Sequence, residues 1–252
     1  MTGRERRLLR MLCMTAGSGG GGGDKPWEEM TWNDVIAATK NGKYKNFEIG
    51  AMKELDLGSE GIVHMQIVGI DVDELADGSG YAPLTFISKE LLDTNHRMNP
   101  ALTPSAAPYD EGTGTIGGWE KCEMRTYLKE TVKPLIPENV RNAIVDVTKY
   151  SRTCDATGTV VNDVASVNDV WIPSKYETVG AATNAETQGA RYGDVFSSFD
   201  TRKKNKVGVS SADYWWLRTA GDNTNFLVIA GNGAIMGGSV MSRLSIALGF
   251  CL

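Results

Sequence analysis

The last thirty-four residues, Thr219 to Leu252, hold only two charged side chains, Asp222 and Arg243, and no Lys, Glu, Gln or Trp. An average chain, about a quarter of it charged, would place about eight charges there. Such a stretch either folds inward, as buried central strands do, or is held to a restricted alphabet for another reason. Its pattern is β-rich. "DYWWLRT" reads as a strand, "NFLVI" and "AIMGGSV" flank Asn232–Gly233 as a two-residue hairpin, and "SIALGFCL" closes the segment.

The chain as a whole is ordinary in charge, with 26 basic and 31 acidic residues and a net charge of −5. That balance gives no electrostatic footprint for nucleic acid. Cys13, Cys122, Cys154 and Cys251 are scattered without a CxxC pair and read as free thiols. With His64 and His96 as the only histidines, no metal site is expected and no cofactor is implied. "RERRLLRMLCM" has a basic flank, but Arg10 interrupts its apolar run, so it is expected to be neither a signal peptide nor a membrane span. Gly17 to Gly23 read as a flexible linker, which divides the chain into a detached segment 1–23 and a folded domain 24–252.

Within that domain, "TWNDVIAATKNG" predicts a helix capped by Thr31, with Asp34 closing a capping box and Gly42 past the last turn. The same letters include the WND of calcium-binding lectins, but a helix start explains them. "YKNFEIG", "KELDL" and "IVHMQIVGI" predict an antiparallel meander. "DVDELADGSG", Asp71 to Gly80, lacks the Glu an EF-hand needs at its twelfth position and reads as a solvated turn. After "APLTFIS" a short helix is expected at "KELLD", then a Pro- and Gly-rich loop from Asn99 to Gly118. Gly112, Gly114 and Gly117 have dinucleotide-motif spacing there, but no strand precedes them.

Two helices are expected next. One carries Met124, Leu128 and Val132 on one face, and the other Val140, Ile144 and Val147. "DVWIPSKYE" predicts a strand ended by Pro173, then a helical turn with Ser174 and Glu177 in capping-box spacing. Thr183 to Val207, including the basic "TRKKNK", reads as solvated surface loop. Strands at both ends and helices in the middle predict an α+β fold whose terminal strands meet. No GxSxG elbow, HExxH motif or Cys–His pair is present, so an enzyme is not expected, although scattered carboxylates leave a glycosidase site open.

"GGWEKCEMRTYL", "VWIPS", "SADYWWLRT" and the terminal "LGFCL" resemble a family of phage and bacterial proteins with a C-type-lectin-like fold. These are the variable proteins of diversity-generating retroelements, and the resemblance runs from about Thr31 to Leu252. It implies a variable region over about residues 219–248, written by error-prone copying of adenines in a template repeat. An AAY codon randomised in that way cannot become Lys, Glu, Gln, Trp or Met. Met236 and Met241 depart from that alphabet and need another mutable codon or a fixed position.

By the family pattern Phe226, Ile229, Asn232, Gly233, Ile246, Gly249 and Phe250 are scaffold, with Trp215 and Trp216 in the core. The implied ligand-facing positions are Asp222, Asn223, Thr224, Leu227, Val228, Ala230, Gly231, Ala234, Ile235, Gly238, Val240, Ser242, Arg243, Leu244 and Ala247. The implied function is binding of a protein or glycan receptor on a target cell surface, by a phage-tail module assembled in the host cytoplasm or by an exported bacterial adhesin. Neither nucleic-acid binding nor membrane insertion is expected, and a homo-oligomer is left open. Two other functions share the fold. A formylglycine-generating oxidase would need a second cysteine near Cys251, and a calcium-dependent lectin would need EPN or QPD ligands, which are absent.

Overall fold

The computed structural model describes residues 25–102, 107–180 and 186–252. The glycine linker and everything else expected of residues 1–23 lie outside them, as does the start of the polar stretch at Thr183. The chain divides into two compact units, Met1–Met30 and Thr31–Leu252.

Local signals set the first helix, α1 (Trp32–Asn41). Thr31 Oγ1 accepts from the Asp34 amide at 3.3 Å, the Asp34 carboxylate accepts from the Thr31 amide at 2.6 Å, and Gly42 ends the helix in the left-handed region. The meander is shorter than expected. "YKNFEIG" begins as a 3-10 turn, Lys43–Asn46, and the strands are β1 (Met52–Asp56), β2 (Ile62–Glu74) and β3 (Tyr81–Ser88). "KELLD" forms no helix. The Leu91 and Leu92 amides bond to the carbonyls of Asn205 and Ile246, so tertiary partners override the local helical preference.

The first of the two middle helices is broken. Extended backbone at Cys122 separates α2 (Gly118–Lys121) from α3 (Glu123–Tyr127), which continues as wide and tight turns to Leu135. Met124, Leu128 and Val132 are nevertheless all buried, as their spacing required. The second helix, α4 (Glu138–Arg141), ends long before Val147, which instead opens β4 (Val147–Cys154). That strand pairs with β5 (Val160–Asn168) as a hairpin, followed by β6 (Val170–Trp171) and α5 (Lys175–Val179), whose Ser174–Glu177 capping box forms as expected. A short α6 (Phe199–Arg202) precedes β7 (Trp215–Ala220), β8 (Asn225–Ile229), β9 (Ile235–Ser239) and β10 (Gly249–Cys251).

The result is an α+β fold with antiparallel sheets in the orders β1-β2-β3-β10-β6, β4-β5 and β7-β8-β9. The terminal strands do meet, because β10 lies between β3 and β6 with Phe250 opposite Phe86. A Cβ on Gly249 would stand 2.5 Å from the Trp171 ring, so only glycine lets β10 pass that close. Trp119, Trp171, Trp215, Trp216, Phe86, Phe226 and Phe250 form the aromatic centre of the core.

Candidate functional site

Burial splits the charge-poor C-terminal segment into two sets. Sixteen of its thirty-four positions are buried, and there the absence of charge follows from desolvation. The other eighteen reach solvent, yet carry only Asp222 and Arg243. Burial therefore explains about half of the restricted alphabet and leaves a solvent-accessible rim with two charges in eighteen positions, fewer than the roughly four that average usage would place there.

The expected ligand-facing positions divide the same way. Asp222, Asn223, Thr224, Leu227, Ala234, Ile235, Ser242, Arg243 and Leu244 are exposed or half-buried. Val228, Ala230, Val240 and Ala247 are buried at 5% exposure or less, so they cannot face a ligand. Val228 and Phe226 share the inner face of β8, and Val240 anchors the segment through its amide on Thr224 and its carbonyl on Met98 and Asn99. Two glycines are also corrected. A Cβ on Gly231 would meet the Ala212 carbonyl oxygen at 2.7 Å, and one on Gly238 would meet Val228 at 2.7 Å and the Trp216 ring at 2.8 Å. No side chain can project from either place without a shift of its neighbours.

The β8–β9 connection is a hairpin, but with three loop residues. The Ala230 amide bonds to the Ala234 carbonyl, the Gly233 amide bonds to the Ala230 carbonyl, and Gly233 sits at φ +85° against the Phe199 backbone. That left-handed bulge position is why glycine follows Asn232. At the other turn Asp222 Oδ1 accepts from the Thr224 and Asn225 amides, each at 2.8 Å. Partial burial alone would raise its carboxyl, but these donors, with the Asn225 amide group, outweigh it and hold the group below its ordinary value. Asp222 is thus fixed as a turn former, which leaves Arg243 as the free-standing charge of the rim. Met236, Gly237 and Met241, which lie outside the expected ligand-facing set, are exposed in the same stretch.

A second cluster was not foreseen at all. Asp73, Lys149, Glu177 and Arg218 meet in the core, each at 2% exposure or less. Lys149 Nζ contacts Asp73 Oδ1 at 2.5 Å and Glu177 Oε1 at 3.2 Å, while Arg218 grips both Glu177 oxygens at 2.7 Å. Burial pushes the Glu177 carboxyl up, but the Arg218 guanidinium and the Lys149 ammonium outweigh that and hold it at about 2. The expected solvated turn is half wrong. Two register shifts in β2 set Asp73 opposite Ala82, which is buried, so Asp73 shares the inner face. Glu186 and Tyr192, expected in surface loop, are buried too, with Glu186 accepting from Thr219 Oγ1 at 2.7 Å. Cys122, Cys154 and Cys251 are buried free thiols, and among the described residues no group of three His, Cys, Asp or Glu is placed to hold a metal ion.

The basic run hides a third surprise, since Lys204 is buried. It donates to the Ser88 and Lys89 carbonyls above the Phe196 and Trp215 rings. Burial, with help from nearby Lys89, pushes its ammonium down to about 7. The unfolded chain keeps that proton to the ordinary lysine range near 10.5, so between these limits it binds more protons than the native state. Stability is therefore expected to rise from neutral pH to pH 9 by roughly 1 kcal/mol per pH unit from this group. Urea titrations across that range should lose this slope in Lys204→Met.

With this geometry in view, residues 85–252 match a family model described as a domain of unknown function, DUF6273. The chain belongs to the DUF6273 family. No curated protein and no solved structure matches it. The matched DUF6273 region contains the whole C-terminal rim and every member of the buried cluster except Asp73, which lies on β2 just before it.

Proposed function

We propose that this DUF6273 protein is a binding module that presents its C-terminal rim to a protein or glycan receptor on a cell surface. The carrying observation is the rim's composition: eighteen solvent-accessible positions with two charges, no Lys or Glu, and Met236, Met241 and Arg243 exposed. Binding surfaces are enriched in Met and Arg and depleted of Lys, Glu and Asp in this way. β9 strengthens the case, because it is an edge strand, "IMGGS", without the charge or proline that normally blocks an open edge.

Retroelement diversification is the origin we infer for that alphabet, on a C-type-lectin-like scaffold and in a phage-tail receptor-binding protein. The arrangement suits it, since rim side chains such as Leu227, Ser242 and Leu244 can change while Trp215, Trp216 and Phe250 keep the core. The test has two arms. The encoding locus should carry a reverse-transcriptase gene and a template repeat differing from the codons of Tyr214 to Leu252 only at adenines. In binding assays on glycan arrays and intact bacterial cells, alanine at Arg243, Leu244, Leu227 or Ile235 should cost at least about 1–2 kcal/mol wherever the residue is a hot spot. EDTA should leave binding intact. Affinity that maps instead to the loop Asn99 to Gly118 overturns the assignment.

A further inference from the structure

The buried cluster holds more than an ion pair needs. Lys149 Nζ is 2.5 Å from Asp73 Oδ1, with Glu177 Oε1 3.2 Å from the same nitrogen. The other Asp73 oxygen, Oδ2, receives hydrogen bonds from Thr85 Oγ1 at 2.5 Å and from the Tyr192 hydroxyl at 2.8 Å. Trp171 closes one side, its ring centre 3.5 Å from Nζ. An amine, a carboxyl group, a base and two donors aimed at one carboxyl oxygen thus share a site sealed from solvent. We propose that Lys149 and Asp73 condense in the folded protein to an amide, a covalent cross-link between β4 and β2.

The atoms and charges balance within the cluster. The ammonium passes one proton to Asp73 Oδ1 along their hydrogen bond, which gives a neutral amine and a neutral carboxylic acid. This removes two buried charges together. Glu177 remains ionised because Arg218 still neutralises it. The amine lone pair then attacks Asp73 Cγ, and negative charge develops on Oδ2, where Thr85 and Tyr192 already donate. Glu177 Oε1 takes a second proton from the nitrogen and returns it to Oδ1, which leaves as water. The third proton stays on the amide nitrogen. No oxidant or outside reactant is consumed, and the fold supplies the proximity that makes the step unimolecular.

The cross-link would join residues 76 apart in sequence. It would tie the five-stranded sheet to the β4–β5 hairpin, two layers bridged by backbone pairing at Leu75 and Val147.

Intact mass spectrometry of the purified full chain tests this directly. The protein is expected to be lighter than its sequence by one water, and trypsin should release residues 54–89 and 142–152 as one branched species. Lys149→Arg keeps the positive charge but cannot form the amide, so it should restore the full mass. Glu177→Gln removes the base and should slow the appearance of the branched species. Wild-type protein that keeps its full mass after prolonged folded incubation at neutral pH overturns the proposal, whatever the variants do. So does a water lost elsewhere, for example as a cyclic imide at Asp77–Gly78, with the two peptides still separate. A Glu177→Gln protein that cross-links at the wild-type rate overturns the role given to Glu177.

Discussion

Glu177→Ala is expected to destabilise the domain by about 3–5 kcal/mol, the cost of leaving a buried partner charge uncompensated. The carboxylate holds Arg218 through two bonds of 2.7 Å, contacts Lys149, and closes the capping box of α5 by accepting from the Ser174 amide at 2.8 Å. Alanine would strand the guanidinium at 1% exposure and remove the carboxylate half of the capping box, while Ser174 Oγ still caps the backbone amide of residue 177. The companion Glu177→Met/Arg218→Met removes both charges, so it should recover much of the loss. Chemical denaturation of the single and double variants checks this, and near-additive losses would mean that the two residues are not coupled. The pH dependence has a definite sign. Because the folded carboxyl lies at about 2, below its ordinary 4.5, its contribution is fully present above pH 4.5 and is lost as pH falls toward 2.

What the sequence revealed and what it hid follow from how far each signal reaches. Both capping boxes were legible because the partners lie three residues apart and the chemistry is local. The buried charges were not legible. Strand β4 has a clean period of two, but its inward residues are Val147, Lys149, Ser151 and Thr153, so the alternation runs polar-inward and no apolar stripe marks the strand. Asp73 sits in an acidic run, and Lys204 in a basic one, where solvation is the ordinary expectation. Only partners far along the chain reverse it: Tyr192 and Lys149 for Asp73, and the Ser88 and Lys89 carbonyls for Lys204. The rim was legible as a segment but not residue by residue. Gly231 and Gly238 look permissive in sequence, and the neighbours that fill their Cβ positions appear only in three dimensions.

Within one short segment, Trp216→Ala and Ser242→Tyr are expected to behave oppositely. Trp216 is fully buried, and its Nε1 donates to the His96 carbonyl at 2.8 Å, so alanine removes a core ring and one of the two hydrogen bonds that carbonyl accepts, the other coming from the Leu244 amide. A loss of about 3–5 kcal/mol is expected. Ser242 is half-exposed in the turn after β9, and tyrosine there should change stability by no more than about 0.5 kcal/mol. Gly238→Tyr separates a permissive segment from a permissive set of positions. It lies in the same solvent-accessible rim, but its Cβ would collide with Val228 and Trp216, so a loss of about 1–3 kcal/mol from overpacking is expected. Melting temperatures of the three proteins, measured against wild type, decide the matter. Equal damage at Ser242 and Trp216 would make the segment a buried sheet throughout and remove the basis for a binding rim. Equal tolerance at Ser242 and Gly238 would mean that β9 can move away from β8, and that the rim accepts variation at more positions than its packing allows.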